Sequence, residues 1–436
     1  VSTTIEPETG AAEAGSDPVR EAVREVAGRA KQAARALATA PRDQKDRALS
    51  ALADALVAST DRIVAANTED LERGERTGLA PNLADRLRLD GPRIASIAQA
   101  VRDIVRLPDP VGEVVRGSTL PNGLQLRQVR VPMGVIGMVY EARPNVTIDA
   151  ASLALKSGNA AVLRGGSAAE STNTVLVTLI REALESAGLP ADAVATIDPW
   201  GREGVQHLMR ARGLVDLLVP RGGAGLIKTV VENSTVPVIE TGTGNCHVYV
   251  DASADPQMAL EVLLNAKLRR TSVCNAAETL LVHRDSSFLP VALEALAAEK
   301  VRIHADPTAL AEAAKLGVAA EPATEDDWYS EYLAAEITVG VVGSLDEAIA
   351  HIRTYSSGHT EAILTSDLRA ANRFTAEVDS AVVAVNASTA FTDGAEFGLG
   401  AEVGISTQKL HARGPMGLAE LTSTKWIVTG NGQTRS

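Results

Sequence analysis

The sequence predicts an α/β fold built from two doubly wound, Rossmann-like domains and a small antiparallel β arm. Three observations predict it. From residue 133 onward, strand and helix patterns alternate five times with short connections. The strand runs are almost continuous Val, Ile and Leu, as expected of strands buried on both faces of a parallel sheet. The chain has 436 residues, more than the roughly 250–300 that one core supports, so two domains are expected.

The elements follow in order. Residues 1–16 are small and acidic, and read as a floppy tail without the charged and apolar regions of a signal peptide. Residues 17–107 read as helices, with Asp17 as the first N-cap and Pro18 at the first helical position. "MGVIGMVYEA" is a strand and "NVTIDAASLALKSG" a helix ending at Gly158. "AAVLRGG" is a strand, followed by a long helix that Ser167 caps and that Gly188 and Pro190 close. "AVATID", "VDLLVP" and "VPVIE" are further strands, with helices between them. A second βα series runs from "NCHVYVD" to "SAVVAVN". "GLQLRQVRV" (123–131) and "TKWIVTGNG" (424–432) fit neither sheet, and read as antiparallel strands reaching toward a partner subunit. The expected division is therefore 17–116 with 132–240 as a first domain and 241–408 as a second, with 117–131 and 409–436 as the arm.

Composition excludes several functions. A net charge of −13 argues against general nucleic-acid binding, which needs a basic face. No apolar run approaches the length of about 18 residues that a membrane span requires. Two cysteines cannot form a disulfide framework. A soluble, cytoplasmic protein is expected, with no membrane partner.

Doubly wound sheets bind nucleotides at the carboxyl ends of their strands. The GxGxxG fingerprint is absent; "RGGAG" (221–225) comes nearest, with Gly222 and Gly223 at a helix N-terminus where backbone can approach a phosphate. A plain tight turn explains these glycines equally well. The other conspicuous stretch is "RRTSVCNAAETLLV" (269–282). It puts Cys274 on a short turn between a helix and a strand, among polar residues, with Arg269 and Arg270 as nearby positive charge. A cysteine attacks only as a thiolate. Most unpaired cysteines are inert core residues, and Cys246, inside an apolar strand, fits that description. There is no GxSxG nucleophile elbow. The histidines are scattered, so no metal site is expected.

Four stretches carry a resemblance: "VPMGVIGMVYEARPNVTIDAASLALKSGNAAVLRGG", "ETGTGNCHVYVD", "AIAHIRTYSSGHTEAILTSD" and "FGLGAEVGISTQKLHARGPMGLAELTSTKW". The chain resembles the aldehyde dehydrogenase superfamily and, within it, the gamma-glutamyl phosphate reductases. The resemblance implies that Cys274, 34 residues after the Glu240 that opens "ETGTG", is the nucleophile. It implies Asn145 as an oxyanion donor and Arg164, with Ser167, Gly222 and Gly223, as ligands of NADPH. The first domain then becomes the NADPH-binding one. Arg143 and Arg270 become candidate ligands of a substrate, L-glutamate 5-phosphate, that carries phosphate and carboxylate. "SEYLAAE" stands where the superfamily has an intact "EEIFGP", which puts Glu331 in doubt as a ribose contact. Glu240 is ambiguous too, because a reductase must not hydrolyse its thioester. The expected partners are a second copy of the chain, in a dimer or tetramer, and glutamate 5-kinase. Two alternatives stay open: a semialdehyde dehydrogenase that makes the acid, and a non-catalytic protein of the same fold.

Overall fold

The structure, a computed structural model, describes residues 17–141 and 143–435. The expected tail, residues 1–16, lies outside them. Five helices open the chain: α1 (Pro18–Leu37), α2 (Arg42–Ala58), α3 (Thr60–Arg76), α4 (Pro81–Leu87) and α5 (Gly91–Arg106). Asp17 caps α1 by accepting from the Val19 and Arg20 N–H groups, with Pro18 at the first position, as the sequence suggests. Two strands follow, the exposed β1 (Val114–Thr119) and the mostly half-buried β2 (Gln125–Pro132).

The first parallel unit comprises β3 (Val135–Tyr140), α6 (Pro144–Lys156), β4 (Ala160–Arg164), α7 (Glu170–Ser186), β5 (Val194–Thr196), α8 (Gly201–Met209), β6 (Leu217–Arg221) and α9 (Ala224–Asn233). Its sheet has the order β5-β4-β3-β6, all parallel. Every residue of β3 is buried, which is why its sequence does not alternate. The predicted strand at "VPVIE" is reduced to one bridge, Leu218 to Val238. Ser167 does not cap α7: it opens a single 3-10 turn, Ser167–Ala169. The carboxylate of buried Asp70, on α3, instead accepts from the Ser171 and Thr172 N–H groups. A cap delivered from another helix leaves no local sequence signature.

The second unit comprises β7 (Cys246–Val250), α10 (Pro256–Leu268), β8 (Ala277–His283), α11 (Phe288–Ala298), β9 (Arg302–Ala305), α12 (Pro307–Leu316), β10 (Glu321–Pro322), α13 (Glu325–Tyr329), β11 (Glu336–Val342), α14 (Leu345–Tyr355), β12 (Thr360–Leu364), α15 (Leu368–Glu377) and β13 (Val382–Val385). Its seven strands are parallel, in the order β10-β9-β11-β8-β7-β12-β13. The chain ends with a short hairpin, β14 (Ile405–Ser406) and β15 (Gly414–Pro415), and with β16 (Thr422–Thr429). Val403, Ala412, Met416, Leu418 and Leu421 pack back into the first core. β16 pairs antiparallel with β2 along its whole length, and β1 completes a three-stranded sheet. The two predicted arm strands are thus partners of each other.

Candidate active site

A cleft of about 510 Å³ runs between the two parallel units. The first unit contributes the carboxyl ends of β3 and β6, the point where its strand order reverses: Glu141, Arg143, Arg221, Gly222 and Gly223. That is where an open α/β sheet leaves a crevice. The second unit contributes the opposite ends of its strands. Thr241–Thr243 precede β7, Cys274 precedes β8, and Glu331 precedes β11.

The Cys274 turn is held from several sides. At its stems, Lys267 on α10 and Glu278 on β8 form a fully buried ion pair at 2.5 Å. The Asn275 amide donates to the carbonyls of Ala390 and Thr392. The Thr389 hydroxyl donates to the Asn275 carbonyl at 2.6 Å. From below, Gly244 presses against the turn: a Cβ there would lie 1.6 Å from the Cys274 carbonyl oxygen. Only glycine permits that approach. The Gly244 N–H donates to Glu331 Oε1 at 2.8 Å. Cys246 is not the bystander that its apolar strand suggests, because its thiol donates to the same Cys274 carbonyl at 3.2 Å.

Burial pushes the Cys274 thiol up to about 11; Arg221 opposes this, while Glu331 and Glu402 add to it. The cation expected from Arg269 and Arg270 is therefore supplied chiefly by Arg221, although both of those arginines line the cleft. Arg143, the residue before α6, is itself pushed down to about 10 by burial and by Arg86 and Arg221. Several cations confined in one cleft suit an anionic ligand.

Residues 4–327 match the aldehyde dehydrogenase family. Gamma-glutamyl phosphate reductase of Kineococcus radiotolerans is 65% identical over 419 residues, covering 96% of this chain and 97% of the relative. That of Thermobifida fusca is 61% identical over 415 residues, covering 95% and 98%. The crystal structure of gamma-glutamyl phosphate reductase from Thermotoga maritima superposes with a TM-score of 0.92 at 45% identity, over 95% of this chain and all of that one. The chain belongs to the gamma-glutamyl phosphate reductases of the aldehyde dehydrogenase family.

For a reductase of this family, the sequence-predicted residues fall into two groups. Cys274, Arg143, Arg270, Gly222, Gly223 and Glu331 share the cleft wall. Asn145 and Glu240 do not. The Asn145 amide donates to Asp149 Oδ2 at 3.2 Å, one helical turn along α6. Burial pushes the Asp149 carboxyl up to about 6, against the pull of Asn145 and Arg221. Glu240 is fixed through its backbone N–H, which donates to Gln408 at 3.1 Å. Arg164 and Ser167 lie at the end of β4 and beyond it. Sequence reasoning missed Arg221, Glu402 and Arg86. The position of Arg221 at a strand's carboxyl end was a usable signal; Arg86 arrives from the short helix α4 and Glu402 from a loop, and nothing local reveals where either lies in space.

The first unit fits a nicotinamide dinucleotide. Arg164 Nε is buried and has no hydrogen-bond partner among the described residues. Burial lowers the Arg164 pKa, with Arg202 adding to the effect and Asp198 opposing it. An unpartnered guanidinium beside a second arginine suits a phosphate. The Gly223 N–H, by contrast, is engaged by Glu141 Oε2 at 3.1 Å. Gly222 and Gly223 therefore shape the turn into α9 more than they offer a free anion site.

Proposed function

We propose that this protein reduces L-glutamate 5-phosphate to L-glutamate 5-semialdehyde with release of phosphate, using NADPH, in proline biosynthesis. One observation carries the reading: a cysteine on a rigid turn faces a cleft lined by Arg86, Arg143, Arg221, Arg269 and Arg270. The substrate brings a phosphate and a carboxylate, and arginine binds both bidentately. Family membership at 65% identity over nearly the whole chain supports the same reaction.

Arg143 and Arg270 hold the substrate's anionic groups. The Cys274 sulfur attacks the acyl carbonyl; the S–C bond forms as the C–O bond to phosphate breaks, and the thiol proton leaves with the phosphate. The Cys274 backbone N–H and the Asn145 amide stabilise the oxyanion. Asp149 holds one amide hydrogen of Asn145 and leaves the other to donate. The product of this step is a Cys274 thioester. NADPH, held by Arg164 and Ser167 on the first unit, supplies the hydride when bound. Departure of the aldehyde frees Cys274.

The acid-forming alternative needs a carboxylate that activates water at the thioester. Glu240, the carboxylate that the family resemblance offers for that step, is not among the residues lining the cleft, and the phosphate dependence of turnover separates the two readings. Residues 17–116 and 132–240 serve as the NADPH-binding domain and 241–408 as the catalytic domain. Segment 117–131 and the part of 409–436 from β16 onward serve as an oligomerisation arm, whereas Ala412, Met416, Leu418 and Leu421 tie the start of the predicted second arm segment into the first core. The exposed Trp426 and Val428 on β16 and Val114 on β1 suit a second copy of the chain, and glutamate 5-kinase is the partner that would supply the labile acyl phosphate. Among the described residues, no helix is long and apolar enough to cross a membrane.

The test uses the reverse direction. Semialdehyde and NADP are incubated with and without phosphate, following NADPH formation. Turnover that requires phosphate supports the reductase; phosphate-independent production of glutamate refutes it.

A further inference from the structure

Four carboxylates line the cleft: Glu141, Glu331, Asp393 and Glu402. Three are already engaged. Glu141 accepts from the Gly223 N–H, Glu331 from the Gly244 N–H, and Asp393 from the N–H groups of Ala395 and Glu396. Glu402 differs. Its Oε2 is buried and finds no hydrogen-bond partner among the described residues. The nearby Gly394 N–H bears on this carboxyl without completing a well-formed hydrogen bond to Oε2. Leaving a buried carboxylate oxygen unpaired is costly, and a polar group so exposed to loss calls for a role.

The reading of the substrate as L-glutamate 5-phosphate, on which this inference rests, leaves one charge without a partner. The arginines account for the phosphate and the carboxylate, but the α-ammonium needs an anion. We propose that Glu402 binds the α-ammonium group of the substrate and makes the enzyme selective for an α-amino acyl phosphate over its des-amino analogue.

The geometry agrees. Standard bond lengths put the α-nitrogen about 5 Å from the reacting carbonyl carbon in an extended chain. Its anion should therefore lie near the thiol without touching it. Glu402 acts on Cys274 through its charge, yet no hydrogen bond joins them among the described residues. Burial pushes the Glu402 carboxyl up to about 7, with Arg221 opposing and neighbouring Asp393 adding to the rise. An arriving ammonium would hold it ionised.

The experiment compares phosphate-dependent oxidation of L-glutamate 5-semialdehyde with that of 5-oxopentanoate, which lacks the amino group. The wild type should prefer the amino substrate. Glu402→Gln should cut that preference 10–100-fold, the scale of one charge-assisted hydrogen bond. The loss should lie in KM for the amino substrate, with KM for the analogue unchanged; any change in kcat that comes from removing the Glu402 charge near Cys274 should be shared by both substrates. Glu402→Asp should restore part of the preference. An equal loss for both substrates overturns the proposal. So does an altered kcat–pH profile with the preference intact, which would mean proton transfer. If Glu402→Gln fails to fold, wild-type inhibition decides: L-glutamate should compete better than glutarate, and equal competition overturns the proposal. A wild type with no phosphate-dependent turnover defeats the underlying reading, and this one with it.

Discussion

Replacing Gly244 with alanine tests how tightly the Cys274 turn is placed. An added Cβ would lie 1.6 Å from the Cys274 carbonyl oxygen and 2.6 Å from its Cα. Ordinary contacts start beyond about 3 Å in a close-packed interior, so the two segments must part by more than about 1 Å. The Gly244 side has little room to yield, because Glu331 holds its N–H at 2.8 Å. The turn itself is braced by the Lys267–Glu278 pair and by Asn275. The displacement therefore falls partly on the sulfur. A misplacement of this size costs on the order of 10²-fold in rate. Gly244→Ala should lower kcat about that much while the NADPH dissociation constant stays within a few-fold, since Arg164 lies on the other unit. Steady-state kinetics, cofactor titration and circular dichroism together check this. A correctly folded variant with near-normal kcat would refute the claim that the Gly244 contact positions the nucleophile.

Asn145→Ala should depress kcat by about 10²–10³-fold, with a much smaller change in KM, because an oxyanion donor acts mainly in the transition state; unchanged kcat with raised KM would make it a ground-state contact. Arg164→Ala should weaken NADPH more than NADH, since only NADPH offers a 2′-phosphate to its unpartnered guanidinium; equal losses would reduce Arg164 to a packing role. Because burial raises the Cys274 pKa to about 11, the thiolate fraction is small at neutral pH and grows with rising pH. Iodoacetamide labelling of the free enzyme should accelerate about tenfold per pH unit from pH 7 to 10, and a plateau near pH 7 would contradict that environment.

The fold was largely legible because β3, β4, β7 and β12 are buried along almost their whole length, so β3 and most of β4 read as uninterrupted apolar runs, while β7 and β12 stay mostly apolar around buried His247 and Glu361. β1 was missed: all six residues are exposed, so it shows no alternation. The Cys274 turn stood out through its polar setting and its spacing from Glu240. Its supports did not, since Gly244, Glu331 and Ala390 meet it from distant parts of the chain. Glu402 was invisible for a different reason. What distinguishes it is an empty hydrogen-bonding position, which exists only once the cleft is assembled. Arg269 and Arg270 illustrate the converse: adjacency in sequence suggested that they would tune the thiol, but the positive charge that acts on the sulfur is chiefly that of Arg221, brought there by β6.

The central claim is a covalent Cys274 thioester. L-Glutamate 5-phosphate generated in place by glutamate 5-kinase and ATP, in the absence of NADPH, should leave a γ-glutamyl adduct on the peptide carrying Cys274. Peptide mass spectrometry should find it there, see it vanish when NADPH is added, and find none in Cys274→Ala. An adduct on Cys246, or full turnover by Cys274→Ala, would contradict the account.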